Sequence, residues 1–293
     1  MPPADTKPWS ARTHQGIGPD AVVIGAMRAG TTTLYRMLDQ TGLVSVAESK
    51  ETDYYLKDEF RARGEAWYRR QFRNSELPWI DICPNYTKRI VFPGVPDRIH
   101  ADAPGVPLVF IVRDPVKRVI SQYNHTFMTR KDLPKPADLL DSNLGMEILE
   151  SSRYAFQLKP YYDLWPRDRI LVVSFRELLR QPTETLHRIL QHIGVEAPED
   201  LEIADLSADN TSHDLRSLPL WWGQLRRTRL GRYLKSHAPR KLIDFSRRKV
   251  SSDRLVEFPA FDHDTQRRIA DLLHEDVSEF RRLTGLSFSH WSV

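Results

Sequence analysis

The chain has 293 residues, 40% of them apolar, and a formal charge of +4. That length and composition support one large α/β domain or two small ones, and the mild charge alone does not argue for nucleic acid. A single cysteine, Cys83, excludes an internal disulfide and a CxxC metal pair. The first 19 residues, polar and rich in Pro and Gly, read as a loose arm. Ala21–Ile24 reads as a buried strand, and Thr33–Leu38 as a helix with Leu34, Met37 and Leu38 on one face. Trp79–Cys83 is a short predicted strand ended by Pro84, and Leu108–Val112 is the clearest buried strand. A helix follows from Pro115, with Asp114 as N-cap and with Val116, Val119, Ile120 and Tyr123 on one face. Lys131–Pro136 breaks the pattern, and one long helix is expected from Met146 to Trp165. Ile170–Val173 is a further strand, followed by helices around Glu177 and over Thr183–Ile193, with Gly194 as the C-terminal glycine. A last helix runs from Asp264 to Leu283, closed by Gly285. Strands alternate with helices, so the expected fold class is α/β, a mostly parallel central sheet with helices on both faces. Residues 20–293 are taken as one domain, with a divergent basic region at about 210–256.

Two strand-to-helix junctions carry candidate chemistry. The first is Gly25-Ala26-Met27-Arg28-Ala29-Gly30-Thr31-Thr32-Thr33. It leads from a strand into a helix N-terminus, where free N–H groups and the helix dipole favour an anion. A Walker A loop would place Lys after the second Gly; here that place is Thr31 and the cation is Arg28. The second junction is Arg113-Asp114-Pro115-Val116-Lys117-Arg118-Val119-Ile120-Ser121-Gln122-Tyr123. Arg113 leaves a strand at the carboxyl edge of the sheet, where open α/β folds bind ligands. With Ser121 two helical turns on, it can hold one phosphate from two directions.

Together the junctions resemble the nucleotide-dependent sulfotransferase family. Its first loop is of the type G-x-x-[KR]-x-G-T-T and its second element of the type R-D-P-x-x-R-x-x-S-x-Y, filled here by Arg113, Asp114, Pro115, Arg118, Ser121 and Tyr123. The resemblance continues through Ser152-Arg153-Tyr154, Val172–Phe175 and the tail at His290-Trp291. Lys50-Glu51-Thr52-Asp53-Tyr54-Tyr55 is similar to the K-E-x-x-[FY]-[FY] element of the glycan-modifying (heparan-type) branch and its bacterial relatives. Asp81-Ile82-Cys83-Pro84-Asn85-Tyr86 is similar to an E-x-[ST]-P-x-Y segment near the acceptor pocket. Arg28 stands where Lys is usual, and Asp53 where the branch often has His.

The resemblance implies a P-loop-like three-layer fold and 3′-phosphoadenosine-5′-phosphosulfate (PAPS) as co-substrate, with PAP as product and no metal. Arg28, Ala29, Gly30, Thr31, Thr32 and Thr33 would hold the 5′-phosphosulfate. Arg113 and Ser121 would hold the 3′-phosphate. Glu51 would be the catalytic base, Arg28 would stabilise charge on the leaving group, and Lys50, Asp81 and Tyr154 would lie on the acceptor side. The acceptor would be a hydroxyl of a carbohydrate, glycolipid or other metabolite, and nucleic acid is not expected as a partner. His125 reads as a helix-surface or packed histidine rather than a base. The rival class is a P-loop nucleotide kinase or NTPase-like phosphotransferase; the lack of Lys after Gly30 argues against it. A third reading is a non-catalytic glycan- or membrane-binding protein. It would use Arg216–Arg254, where twelve Lys/Arg meet two acids, Asp244 and Asp253. That stretch is either a surface for an anionic membrane or acidic partner, or a solvated helical face. With no apolar stretch at Met1–Lys7, a cytoplasmic, bacterial-type enzyme is expected.

Overall fold

The apolar runs of the sequence become the inner strands of a five-stranded sheet in the computed structural model. The structure describes residues 18–130, 132–201, 203 and 257–293. The basic stretch at 216–254 therefore lies outside the described residues, as does most of the N-terminal arm. Gly18 packs against Ala103 and Pro19 is buried, so packed chain begins slightly ahead of the expected boundary at residue 19.

In chain order the elements are β1 (Ala21–Gly25), α1 (Thr31–Thr41), β2 (Ser45–Val46), α2 (Asp58–Arg61), α3 (Glu65–Arg69), β3 (Trp79–Ile82), α4 (Val95–Asp102), β4 (Leu108–Val112) and α5 (Pro115–Phe127). A 3₁₀ turn at Pro136–Asp141 follows. Then come α6 (Asn143–Glu150), α7 (Tyr154–Tyr162), β5 (Ile170–Ser174), α8 (Phe175–Arg180), α9 (Pro182–His192) and α10 (His263–Thr284). The strand order is β2-β3-β1-β4-β5, and every pairing is parallel. All residues of β1 and β4 are buried, as expected for central strands covered on both faces. Helices flank the sheet, α1 packing against α9, and α10 against α5 and α7. No helix among the described residues is long and apolar enough to cross a membrane.

This topology places the two junctions side by side. From β1 the chain moves toward β2 and β3, then crosses to β4 on the other side of β1. The carboxyl ends of β1 and β4 are thus neighbours where the strand order reverses, the usual ligand crevice of such sheets. The β1–β4 register slips between Val23 and Gly25, a bulge that re-aims the chain as it enters the loop.

The expected single helix over Met146–Trp165 is two, α6 and α7, separated at Ser151–Arg153. The break has a tertiary cause. Asp276 of α10 accepts from the N–H groups of Ala155 (3.0 Å) and Phe156 (2.9 Å), capping α7 from a distant part of the chain. Ser152, in the break, receives a hydrogen bond from Arg118.

Candidate active site

The first loop turns on Gly30, at φ 104°. A Cβ there would lie 2.4 Å from the Phe175 ring, so the site demands Gly for backbone and for packing. Ser174 and Glu177 form the capping box that starts α8 and fixes Phe175 in place. α1 begins at Thr31 with no side-chain cap and no acidic residue in its first turn. The first turn thus brings no carboxylate of its own to the helix start, which suits an anionic ligand. Thr31 and Thr33 are buried and Thr32 is exposed.

The second junction meets the first directly. Arg28 Nε donates to Ser121 Oγ at 3.3 Å, and Arg113 Nη1 donates to the Arg28 carbonyl at 3.4 Å. Arg28 and Arg113 both have pKa values lowered, chiefly by burial, and Arg28 also by the Arg113 charge. Two half-buried guanidinium groups held near each other, with no carboxylate among the described residues hydrogen-bonded to either, create a demand for an anion. The Arg113 guanidinium lies over the Phe175 ring, 5.2 Å from its centroid. Asp114 caps α5 by accepting from Lys117 N–H (3.1 Å), and it also holds the C-terminal tail through Ser292 N–H (2.8 Å).

Arg118, a motif residue given no role by sequence reasoning, is fully buried. It donates to the Met27 carbonyl (3.1 Å), the Ile148 carbonyl (2.7 Å) and Ser152 Oγ (2.6 Å). It therefore ties the first loop to α6. Tyr154, expected on the acceptor side, is turned inward. Its ring is buried, and its hydroxyl donates to the Arg113 carbonyl (2.8 Å) and accepts from the Arg113 N–H (3.3 Å). Its pKa is pushed up to about 12, mainly by burial. Tyr154 fixes the backbone from which Arg113 projects.

Glu51 is half-buried, and its Oε1 receives Lys50 Nζ at 2.7 Å. Cys83 Sγ donates to Asp53 Oδ1 at 3.2 Å, and ligand atoms of Glu51, Asp53 and Cys83 all lie within 4.8 Å of one another. Burial raises the Cys83 thiol well above its usual pKa, with Asp53 adding to the effect. Lys88, which the sequence did not single out, has a pKa lowered mainly by burial, and it senses Arg118 and Glu51. His125 is exposed on α5, its pKa lowered by partial desolvation and by the charges of Arg28 and Lys88.

Asp81, expected on the acceptor side, is fully buried instead. Its carboxylate accepts from Tyr68 OH (2.9 Å), Tyr86 OH (2.8 Å) and Thr52 Oγ1 (3.0–3.1 Å), so it faces the protein interior. Burial pushes its pKa from 3.8 up to about 6, against the opposing hydrogen bonds. The folded state thus retains a proton that the unfolded chain has lost between those values. Asp81 therefore contributes less to stability as pH rises through that window, and a constant amount above it. In urea melts, the stability of Asp81→Asn relative to the parent should rise by on the order of 3 kcal/mol from about pH 4 to pH 7. A difference independent of pH would contradict the raised pKa.

The comparisons with known proteins agree with this geometry. The family profile for the sulfotransferase domain matches residues 18–220. Mouse heparan sulfate glucosamine 3-O-sulfotransferase 3B1 is 30% identical over 186 residues, which cover 60% of this chain and 46% of that protein. Human heparan sulfate glucosamine 3-O-sulfotransferase 5 is 27% identical over 189 residues, covering 60% and 54%. The chain spans about half the length of the curated relatives it matches. The crystal structure of a sulfotransferase from Alicyclobacillus acidocaldarius shares the fold, with a TM-score of 0.65 at 20% identity, over 94% of this chain and 99% of that one. With a profile covering most of its length, and with its two strand-to-helix junctions joined by hydrogen bonds at the switch point of the sheet, the chain belongs to the sulfotransferase domain family.

Proposed function

We propose that this chain is a PAPS-dependent sulfotransferase that sulfates a hydroxyl of a carbohydrate, glycolipid or other hydroxylated metabolite. The observation that carries the reading is the meeting of Arg28, Ser121 and Arg113. Two cationic side chains from two loops are thereby held together, an arrangement suited to a nucleotide with phosphate groups at both ends of its ribose.

In this reading the N-terminus of α1 and Arg28 hold the 5′-phosphosulfate, with Ala29–Thr33 supplying N–H groups and hydroxyls. Arg113 and Ser121 hold the 3′-phosphate and select the nucleotide over ATP. Glu51 Oε1 is engaged by Lys50, and Oε2 has no hydrogen-bond partner among the described residues. Oε2 takes the acceptor hydroxyl proton as the acceptor oxygen bonds to sulfur. The bond from sulfur to the phosphate oxygen breaks, and the departing PAP carries the electron pair as negative charge. Arg28 and the helix N-terminus stabilise that charge, the task that usually dominates in group transfer of this kind. Arg28 acts as a fixed charge, because a guanidinium does not readily yield a proton.

Isothermal calorimetry with PAP, adenosine 5′-phosphosulfate, ATP and ATP–Mg²⁺ tests the assignment. PAP should bind most tightly. Arg113→Ala should weaken PAP binding by roughly 1.5–3 kcal/mol, the value of a lost charged hydrogen bond. Equal affinity for nucleotides with and without the 3′-phosphate would remove Arg113 and Ser121 from this role.

A further inference from the structure

The turn that presents Glu51 is held in an unfavourable backbone conformation. Lys50 has φ 70° and Asp53 has φ 56°, and neither is Gly. Non-glycine residues in this region cost on the order of 1–3 kcal/mol each, and persist where the surroundings over-determine them. Glu51 and Thr52 lie between the two.

The surroundings converge on Thr52. Its hydroxyl donates to both oxygens of Asp81 (3.1 and 3.0 Å), accepts from the Tyr54 N–H (3.2 Å) and lies 3.2 Å from Tyr86 OH. Asp81 sits on β3, beside β1 in the sheet. Tyr68 of α3 and Tyr86 of the turn after β3 complete its coordination. Burying a carboxylate is costly, and an apolar residue of similar volume often gives equal or better stability. This chain keeps the carboxylate and surrounds it with three O–H donors, one of them next in sequence to Glu51.

We infer that Asp81 is a positioning residue for the reaction: acting through Thr52, it pins the Lys50–Asp53 turn to the sheet and so fixes where the Glu51 carboxylate stands. This rests on the reading of Glu51 as the base. A positional error of about 1 Å at a reacting group can cost about 100-fold in rate. Loosening the turn therefore affects turnover while the phosphate-binding loops, on other elements, keep their grip on nucleotide.

Thr52→Val is the decisive variant, because it removes the link to Asp81 at nearly constant volume and leaves Tyr68 and Tyr86 on the carboxylate. Its kcat is expected to fall roughly 10- to 100-fold, with PAP affinity within about twofold by calorimetry. Thr52→Ser, which retains the hydroxyl, should recover most of the lost rate. A merely structural role would lower the melting temperature of both variants without this split between kcat and affinity. In the Glu51→Gln background the valine should add little, since the group it misplaces is already gone. Thr52→Ala, which needs less room than threonine, repeats the comparison should valine prevent folding. Full turnover in Thr52→Val, with Glu51→Gln impaired, overturns the inference and leaves the base assignment standing. Full turnover in Glu51→Gln overturns both.

Discussion

Glu51→Gln is expected to lower kcat by about 10²–10⁴-fold, the usual contribution of a positioned general base, and to leave PAP affinity nearly unchanged. The carboxylate is half-buried, and one oxygen is held by Lys50 at 2.7 Å. Glutamine keeps the size and one acceptor atom but cannot take a proton. Nucleotide binding is assigned to Arg28, α1, Arg113 and Ser121, none of which is hydrogen-bonded to Glu51 among the described residues. The loss should therefore appear in single-turnover chemistry with donor and acceptor both saturating. Unchanged turnover would remove Glu51 from the mechanism. It would direct attention to Asp53, whose carboxylate shares the cluster with Glu51 and Cys83.

Arg118→Met is expected to cost about 3–5 kcal/mol of stability, the range for removing one partner from a buried charged network. For a chain of this size that is a fall in Tm on the order of 10 °C. Methionine fills much of the volume but leaves the Met27 carbonyl and the Ser152 hydroxyl without the guanidinium donor they have now, and the Ile148 carbonyl with only Ser152 Oγ at 3.3 Å. Buried acceptors without donors carry a desolvation penalty. The Met27 carbonyl immediately precedes Arg28, so the same substitution should also weaken PAP binding. Thermal melts with and without PAP read both effects. A Tm within a degree of the parent would show that the three hydrogen bonds are dispensable. Lysine should not rescue, because a single ammonium cannot replace a fork reaching three acceptors on two elements.

The parts of the fold legible in sequence are those coded by continuous local pattern. Leu108–Val112 is an unbroken apolar run, and it is β4 with the predicted bounds. Asp114 and Pro115 announced α5, and Gly285 closes α10 at φ 72°. The break between α6 and α7 was not legible, because the group that caps α7 is Asp276, more than a hundred residues away. α4 was missed because its short run, Val95–Asp102, begins with a glycine N-cap and an early proline and has no long apolar period. At the site, the two motifs identified Arg28, Arg113 and Ser121 as residues to be brought together, and the structure joins them through direct hydrogen bonds. Asp81 and Tyr154 were read as acceptor-side groups because residue type says nothing about direction. Burial turns both inward. A signal for Asp81 existed in the three hydroxyl residues Thr52, Tyr68 and Tyr86, yet they are spread along the chain and only the fold shows that they meet.

By itself the sequence determined the alternation of strands and helices, the glycine-dependent turn before α1 and the choice of candidate anion-binding side chains. These follow from local physics: hydrophobic period, backbone freedom at glycine, and the free N–H groups of a helix start. Only the tertiary structure decided which charged groups stay partly open and which are enclosed by protein partners. Arg113 and Arg118 are five residues apart on one motif, but one ends half-exposed over Phe175 and the other is sealed among carbonyls. Asp81 and Glu51 are both carboxylates in family-like segments, and one is enclosed by hydroxyl donors while the other is half-buried and paired through one oxygen with Lys50. That division depends on which distant segments close over each side chain, because the energetics of a charge are set by its surroundings rather than by its place in the chain.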